Sequence, residues 1–208
     1  MTLRLNGATS GFTEIDAPAV AGSNTLVLPG SNGSAYQFLR NGATAGTTEF
    51  AGSITSGTAV ASTSGTSIDF TGIPSWVKRV TVMFDGVSGS AASNLLFQLG
   101  DSGGIETTGY KGAGSAMSET VTTTAYTTGF RTPWGGTTAK IAQGSIVLVN
   151  LSGNTWTASG VMSRSDSASS LLISGSKTLS DVLTQVRVTH VNGTDTFDAG
   201  SINILYEG

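Results

Sequence analysis

The chain contains no cysteine and a single histidine, His190, and only 11% of its 208 residues are charged. Without cysteine it can form no disulfide bond, no thiolate zinc site and no cysteine nucleophile. With one histidine it lacks the imidazole clusters that hold zinc, iron or copper in most proteins. The sequence therefore predicts neither a metal site nor a cofactor.

Charge and hydropathy argue against two further classes of partner. The formal net charge is −3 and the ten Lys and Arg residues are scattered, so the chain lacks the basic footprint of a nucleic-acid-binding protein. No segment approaches the roughly 18 apolar residues of a membrane-spanning helix. The start, Met1–Asn6, lacks the apolar core of a secretion signal. We therefore expect no nucleic-acid partner, no membrane insertion, and synthesis in a cytoplasm.

Small and turn-forming residues are abundant, because 28 Ser, 31 Thr and 29 Gly make up 88 of the 208 residues. Such a bias accompanies disorder where hydrophobicity is low and net charge is high, but 38% of this chain is hydrophobic. Its apolar residues occur in strand-length runs between turn residues. The composition therefore predicts a folded all-β protein with polar, weakly charged surfaces.

An internal repeat marks the N-terminal quarter of the chain. Asn6–Ile15 returns 35 residues later as Asn41–Phe50, with Asn, Gly, Ala, Thr, Gly, Thr and Glu recurring in place. Repeats of this length cannot bury their own apolar face, and about three are needed for a stable stack. We therefore predict that residues 1–52 form an extended arm or stalk covered by other copies of the chain or by a larger assembly. A flexible tail is the alternative. The apolar side chains to be covered are Leu3, Leu5, Phe12, Ile15, Leu26 and Leu28.

Strand signals are dense in the rest of the chain. Val77–Val87 alternates apolar and other residues, and Gly144–Leu151 contains the continuous apolar run of a central strand. Trp156 alternates within a strand and is predicted to be core, whereas only Thr178–Thr184 suggests a helical turn. Eight to ten short strands at even spacing predict that residues 53–208 form an antiparallel β-sandwich head, jelly-roll-like in architecture.

The most suggestive catalytic motif is Gly100–Gly104, which reads Gly-Asp-Ser-Gly-Gly like the nucleophile loop of trypsin-like proteases. That chemistry requires a histidine base beside the serine and a carboxylate that orients the histidine. Here His190 follows Ser102, whereas in those enzymes the histidine precedes the serine. We therefore predict an ordinary turn at Ser102 and no enzymatic activity.

Two pairs of carboxylates offer a second enzyme hypothesis. Asp101 is close in sequence to Glu106, and Asp195 to Asp198. Paired carboxylates hydrolyse glycosides, and carboxylate oxygens bind hard cations, although neither spacing matches a calcium loop. We predict solubilising turn residues at all four positions, with a glycan depolymerase as the alternative.

Two loops each pair an aromatic side chain with a cation. One is Gly109–Gly114 and the other spans residues 131–136. Exposed aromatic side chains in loops stack on sugar rings or fill protein pockets. The alternative is that each aromatic side chain merely covers its own loop. The receptor-binding residues predicted on this basis are Tyr110, Lys111, Arg131 and Trp134.

Four stretches resemble tail-fibre proteins of tailed bacteriophages. Gly11–Gly30 is similar to a fibre stalk repeat, with an apolar-x-Ala-Pro-x-x-Ala-Gly core and a Thr-Leu-x-Leu-Pro end. Ile68–Arg79, Gln98–Tyr110 and Ala199–Glu207 resemble C-terminal domains of such fibres, particularly those of phages that infect cyanobacteria.

The resemblance implies a virion protein that forms a homotrimer. Its N-terminal shaft, residues 1–52 here, would bind other virion proteins, and its β-sandwich head would contact a host surface glycan or protein. The family offers no agreed binding residues to carry over. The chain is short for a tail fibre, so a capsid cement or decoration protein with an arm that staples capsid subunits is the alternative.

Overall fold

The computed structural model describes residues 3–20, 22–34, 37–42, 44–52, 54–117, 122–133, 141–166 and 168–208. These residues form 18 β-strands and no helix, which confirms the all-β class. Accordingly, the described ranges hold no helix of the length and hydropathy needed to cross a membrane. The chain divides into two compact units, Met1–Ser53 and Ile54–Gly208, which we call unit 1 and unit 2.

Unit 1 contains two β-hairpins, one in each copy of the sequence repeat. The first pairs β1 (Leu3–Asn6) with β2 (Phe12–Ile15), and the second pairs β3 (Phe38–Asn41) with β4 (Thr48–Ala51). Both hairpins are antiparallel, and the turn of each begins with the Asn-Gly dipeptide of the repeat. The period seen in the sequence is thus a repeated strand–turn–strand element.

A single residue adds a further strand-like contact to the second hairpin. Val27 forms a parallel bridge with Thr47, and the Val27 N–H lies 2.8 Å from the carbonyl oxygen of Gly46. Gly46 has a φ of 81°, and a Cβ at this position would meet the Thr25 carbonyl oxygen at 2.5 Å. Only glycine fits this approach of two backbone segments.

Unit 2 is built from two antiparallel sheets. Its strands are β5 (Ile54–Ser56), β6 (Val60–Ala61), β7 (Ser67–Thr71), β8 (Arg79–Gly89), β9 (Leu95–Asp101), β10 (Gly104–Ile105), β11 (Lys111–Met117), β12 (Thr122–Tyr126), β13 (Phe130–Arg131), β14 (Ala142–Ser152), β15 (Thr155–Arg164), β16 (Ser170–Thr178), β17 (Gln185–His190) and β18 (Phe197–Glu207). The nine-stranded sheet has the order β12–β11–β16–β15–β14–β8–β18–β5, with β6 also paired to β18. The five-stranded sheet has the order β10–β9–β17–β7, with β13 also paired to β9.

The hydrophobic core lies between these two sheets. On β8 the alternate residues Val80, Val82 and Phe84 are buried, and the Phe84 ring lies 5.2 Å from the Phe97 ring of the facing sheet. Trp156 is also buried in this core, as predicted. Alternation of inward and outward side chains leaves the opposite face of the nine-stranded sheet open to solvent.

Two local predictions have different outcomes. The apolar run Gly144–Leu151 falls in β14, which lies between β15 and β8, so its central position is confirmed. The helical turn suggested at Thr178–Thr184 is wrong, because β16 continues to Thr178 and no helix follows. The backbone N–H groups of Ser180 and Asp181 donate instead to carboxylates from elsewhere in the chain.

Candidate functional site

Tyr110 is a core residue and not an exposed loop aromatic. The residue is 2% exposed, and its ring meets the Phe130 ring edge-on at 5.1 Å. Its hydroxyl accepts a hydrogen bond from the Leu99 N–H at 2.6 Å and donates one to the Glu106 carbonyl oxygen at 3.0 Å. Burial raises the pKa of this hydroxyl well above its usual value. The prediction that Tyr110 is exposed is therefore wrong, and its predicted receptor-binding role depended on that exposure.

The pairing of β9 with its neighbouring strands explains why the Tyr110 hydroxyl lies beside Leu99. β13 pairs with β9 at Leu96 and Phe97, and β10 pairs with it at Gly100 and Asp101. Leu99 lies in the gap between these two short partners, where no strand carbonyl meets its N–H. A buried N–H needs an acceptor, and the Tyr110 hydroxyl supplies it. No local pattern in the sequence could have revealed this role.

Of the other predicted receptor-binding residues, Lys111 and Arg131 lie in different sheets and do not form one exposed surface with Tyr110. Lys111 is exposed at the first position of β11, in the nine-stranded sheet. Arg131 is half-buried in β13 of the five-stranded sheet, and its Nε has no hydrogen-bond partner among the described residues. Trp134 lies outside the described residues. Receptor binding by Lys111 and Arg131 stays a prediction.

Ser102 lies in the turn between β9 and β10, far from the histidine. Its Oγ lies 3.5 Å from Oδ2 of Asp181. His190 pairs with Leu95 at the opposite end of β9, so at about 3.3 Å per residue it is roughly 20 Å from Ser102. His190 therefore cannot act as the base of Ser102 in this fold.

Asp101, beside Ser102, orders the segment that follows β16. The Ser180 Oγ and the Asp181 N–H donate to its Oδ2 at 2.6 and 2.9 Å. The hydrogen bond from the Ser180 hydroxyl, with those from the backbone, holds the pKa of Asp101 below its usual value. Because Asp101 is buried and its oxygens accept these bonds, its role in the structure is to organise a turn.

Glu106 is tied to the same cluster and to a buried lysine. Its Oε1 lies 2.9 Å from the Ser180 Oγ, and its other oxygen forms an ion pair with Lys177, which is 5% exposed. Burial alone would raise the pKa of Glu106, but hydrogen bonds from Lys177 and Ser180 outweigh it and lower the pKa. The Lys177 Nζ also lies 5.4 Å from the centroid of the Tyr110 ring. These partners engage the carboxylates of Asp101 and Glu106, which disfavours their use as a glycosidase pair.

The second carboxylate pair is engaged in the same way. Asp195 accepts hydrogen bonds from the Asn192 side chain at 2.6 Å and from the Ser93 N–H at 3.1 Å. Asp198 accepts one from the Ser88 hydroxyl. Within the described ranges, no three or more His, Asp or Glu side chains come together as they would around a metal ion.

Each hairpin of unit 1 contains an arginine–glutamate ion pair, although the arginine occupies a different position in the two copies of the repeat. Arg4 lies opposite Glu14 in the first hairpin, and Arg40 lies opposite Glu49 in the second. The nearest nitrogen–oxygen distances are 4.0 and 3.0 Å. In the second copy the arginine is one position later in the repeat, and the turn is one residue longer. The longer turn keeps arginine opposite glutamate.

The opposite face of each hairpin carries apolar side chains that are largely open to solvent, and we call it the apolar hairpin face. In the second hairpin the backbone of Gly33 partly covers the Phe50 ring. Leu3 pairs with Ile15 in the first hairpin, and Leu39 pairs with Phe50 in the second. Leu3 is 60% exposed and Ile15 58%. None of the described residues of unit 1 is buried. Of the other predicted stalk residues, Leu5 shares the face of Leu3, whereas Phe12 lies on the arginine side; Leu26 and Leu28 are exposed.

The solvent side of the nine-stranded sheet forms a shallow groove of about 540 Å³ across β11, β16, β15 and β14. Its walls combine small side chains with a few aliphatic ones. The outward-pointing members are Ala113, Ser115, Ser145, Val147, Ser159, Val161, Leu172 and Ser174. None of these side chains carries a charge or an aromatic ring, so the groove suits an uncharged partner surface.

No family model matches this chain, and neither a curated protein nor a solved structure is significantly similar to it. The resemblance to phage fibres rests on short motifs and stays a prediction. Function has to be inferred from the geometry of the two units.

Proposed function

We propose that this chain is a structural virion protein, a short tail fibre of a tailed bacteriophage that assembles as a homotrimer. Unit 1 attaches the fibre to other proteins of the particle, and the β-sandwich of unit 2 adheres to a glycan or protein of the host surface. One observation carries the proposal: unit 1 has no buried side chain among its described residues, yet each of its hairpins presents an apolar face. The phage-fibre motifs support the viral assignment.

The energetics favour a covered unit 1. An isolated two-stranded hairpin is at best marginally stable in water. Full burial of an aliphatic or aromatic side chain is worth about 1.5–3 kcal/mol, and Leu3, Leu5, Ile15, Leu39 and Phe50 are between 38% and 60% exposed. Covering what remains exposed of these five side chains contributes on the order of 5 kcal/mol per copy. Contact with other copies therefore provides stability that the hairpins lack alone.

Light scattering of the full-length protein tests the assembly. We expect a particle of three times the chain mass of 21.0 kDa. Leu5→Glu places a charge on the apolar hairpin face and should dissociate the trimer or weaken it by at least tenfold in concentration. Ser10→Glu adds the same charge in the exposed turn of that hairpin and should leave the trimer intact. Equal behaviour of the two variants would contradict the proposal.

A monomeric wild-type protein would also contradict the fibre and favour the capsid decoration protein. In that case the apolar hairpin faces would be covered by capsid subunits. Limited proteolysis separates the two assemblies, because unit 1 of a trimeric fibre resists cleavage in the free protein. Unit 1 of a decoration protein resists cleavage only on the particle.

The adhesive role of unit 2 is tested by binding of the labelled full-length protein to a glycan array. Lys111 is exposed, so Lys111→Ala tests the predicted receptor-binding residue without disturbing the core. Lys78, which is also exposed, provides the matched control as Lys78→Ala. Loss of binding in the first variant alone supports adhesion at Lys111, whereas equal binding by both removes Lys111 from the proposed receptor site.

A further inference from the structure

The solvent side of the nine-stranded sheet carries a regular pattern of side chains. One row across four neighbouring strands consists of Ser115, Leu172, Val161 and Ser145, each directly opposite the next. The two aliphatic side chains in the middle project from the sheet, and Val161 is 61% exposed. The serines at both ends of the row are small and leave room beside them.

The next row toward one end of the sheet has smaller side chains. It consists of Ala113, Ser174, Ser159 and Val147, again in direct register. A ridge of aliphatic side chains therefore lies beside a hollow lined by alanine and serine, which gives the groove its volume of about 540 Å³. Around a threefold axis, such a ridge on one copy can enter the hollow of the next, as side chains interdigitate between packed sheets.

Charge is confined to the borders of this surface. β14 contains no charged residue, and the one lysine of β16, Lys177, points inward and is buried. Charged side chains begin at Arg164, the last residue of β15, at Arg79 and Asp85 on β8, and at Lys111 on β11. An uncharged surface meets no charge repulsion from another copy of itself, whereas basic or acidic partners gain no electrostatic attraction from it. The lining residues of the groove include no aromatic ring and no charged or amide side chain, which disfavours a sugar ligand.

We propose that this surface of β11, β16, β15 and β14 faces the threefold axis of the homotrimer, where the ridge of each copy packs into the hollow of the next. Four strands about 4.8 Å apart, each about nine residues long, present roughly 600 Å² per copy. A standard interface buries about 800 Å² per partner, so the sheet surface alone supplies about three-quarters of that area. The inference rests on the homotrimer of the proposed function and assigns the part of unit 2 that holds it together.

The absence of cysteine from the wild-type chain allows a direct test by thiol labelling. Val161→Cys places a single thiol at the centre of the proposed interface. Val182→Cys and Val191→Cys place one on exposed residues outside the strands of the sheet, where Val182 is 42% and Val191 39% exposed. In a lone chain Val161→Cys should react with a maleimide at least as fast as the two controls.

In the assembled protein we expect the opposite order of labelling rates, with Val161→Cys slower than the two controls. If the surface is buried nine-tenths of the time, labelling of Val161→Cys slows about tenfold relative to the controls, and dilution or unfolding in urea restores its rate. Val161→Arg, which puts a charge into the interface, should lower the mass measured by light scattering, whereas Val182→Arg should not.

The outcomes separate the inference from the proposed function. A trimer in which Val161→Cys labels as fast as the controls overturns the inference and leaves the fibre standing. Equal protection of all three thiols also overturns it, because the protection is then not specific to the sheet. A monomeric wild-type protein overturns both.

Discussion

Replacing Tyr110 by Phe removes a single oxygen atom from the core of unit 2. The phenyl ring can keep its edge-on contact with Phe130 at 5.1 Å and its position beneath the Lys177 ammonium group. No cavity larger than the hydroxyl is created, so the variant isolates the hydrogen bonds of this side chain from its packing.

The magnitude follows from the two partners that lose the hydroxyl. The Leu99 N–H loses its acceptor at 2.6 Å, and the Glu106 carbonyl oxygen loses a donor at 3.0 Å. A buried polar group left without a partner costs about 1–3 kcal/mol, and the N–H in the gap between β10 and β13 has no alternative acceptor nearby in the sheet. We expect Tyr110→Phe to lower the free energy of unfolding by about 2 kcal/mol. For a unit of this size that lowers Tm by about 4–8 °C.

Urea and thermal unfolding followed by tryptophan fluorescence, at one protein concentration, measure the loss. The m-value should not change, because the surface exposed on unfolding is the same. Tyr206→Phe is the matched control, since the described residues provide no hydrogen bond to the Tyr206 hydroxyl, and it should cost less than about 0.5 kcal/mol. A loss for Tyr110→Phe as small as that of the control would refute the role assigned to the hydroxyl. Loss of host binding at unchanged stability would restore Tyr110 as a receptor residue.

Three further predictions concern other parts of the chain. Ser102→Ala should be silent in stability and in any hydrolysis assay, whereas Asp101→Ala should lower Tm because the Ser180 and Asp181 donors lose their acceptor; a silent Asp101→Ala would contradict this. Burial lowers the pKa of His190 despite the opposing charge of nearby Asp195 and Asp198, so the folded state binds fewer protons than the unfolded chain below about pH 6.5. Stability measured in urea should therefore fall as pH drops from about 6.5 toward the folded pKa, and His190→Phe should flatten that slope. Gly46→Ala should expose Thr25–Leu28 to proteolysis without changing the unfolding of unit 2, and unaltered cleavage would count against the backbone contact at Gly46.

Much of the fold could be predicted from local patterns. Alternation along Val77–Val87 identified the buried face of β8, and the apolar run at Gly144–Leu151 identified a central strand. Trp156 was recognisable as core, and the Gly-rich composition around Ser102 indicated a turn. These features depend on the two-residue period of a strand and on the conformational freedom of glycine, which act within a few residues and are therefore legible in the sequence.

Other features depended on which strands lie side by side, and only the tertiary structure decided them. Tyr110 has the sequence context of an exposed loop aromatic, yet the gap between β10 and β13 makes its hydroxyl a core hydrogen-bonding group. Lys177 is a charged residue on a strand, and it is buried because Glu106, 71 positions earlier in the chain, meets it there. Asp101 is buried because Ser180 and Asp181, 79 and 80 positions later in the chain, donate hydrogen bonds to its carboxylate. A charged group or hydroxyl is buried without a large free-energy cost only where it forms a hydrogen bond or ion pair. Here the partners are distant in sequence, so only the packing of the sheets determines which residues meet.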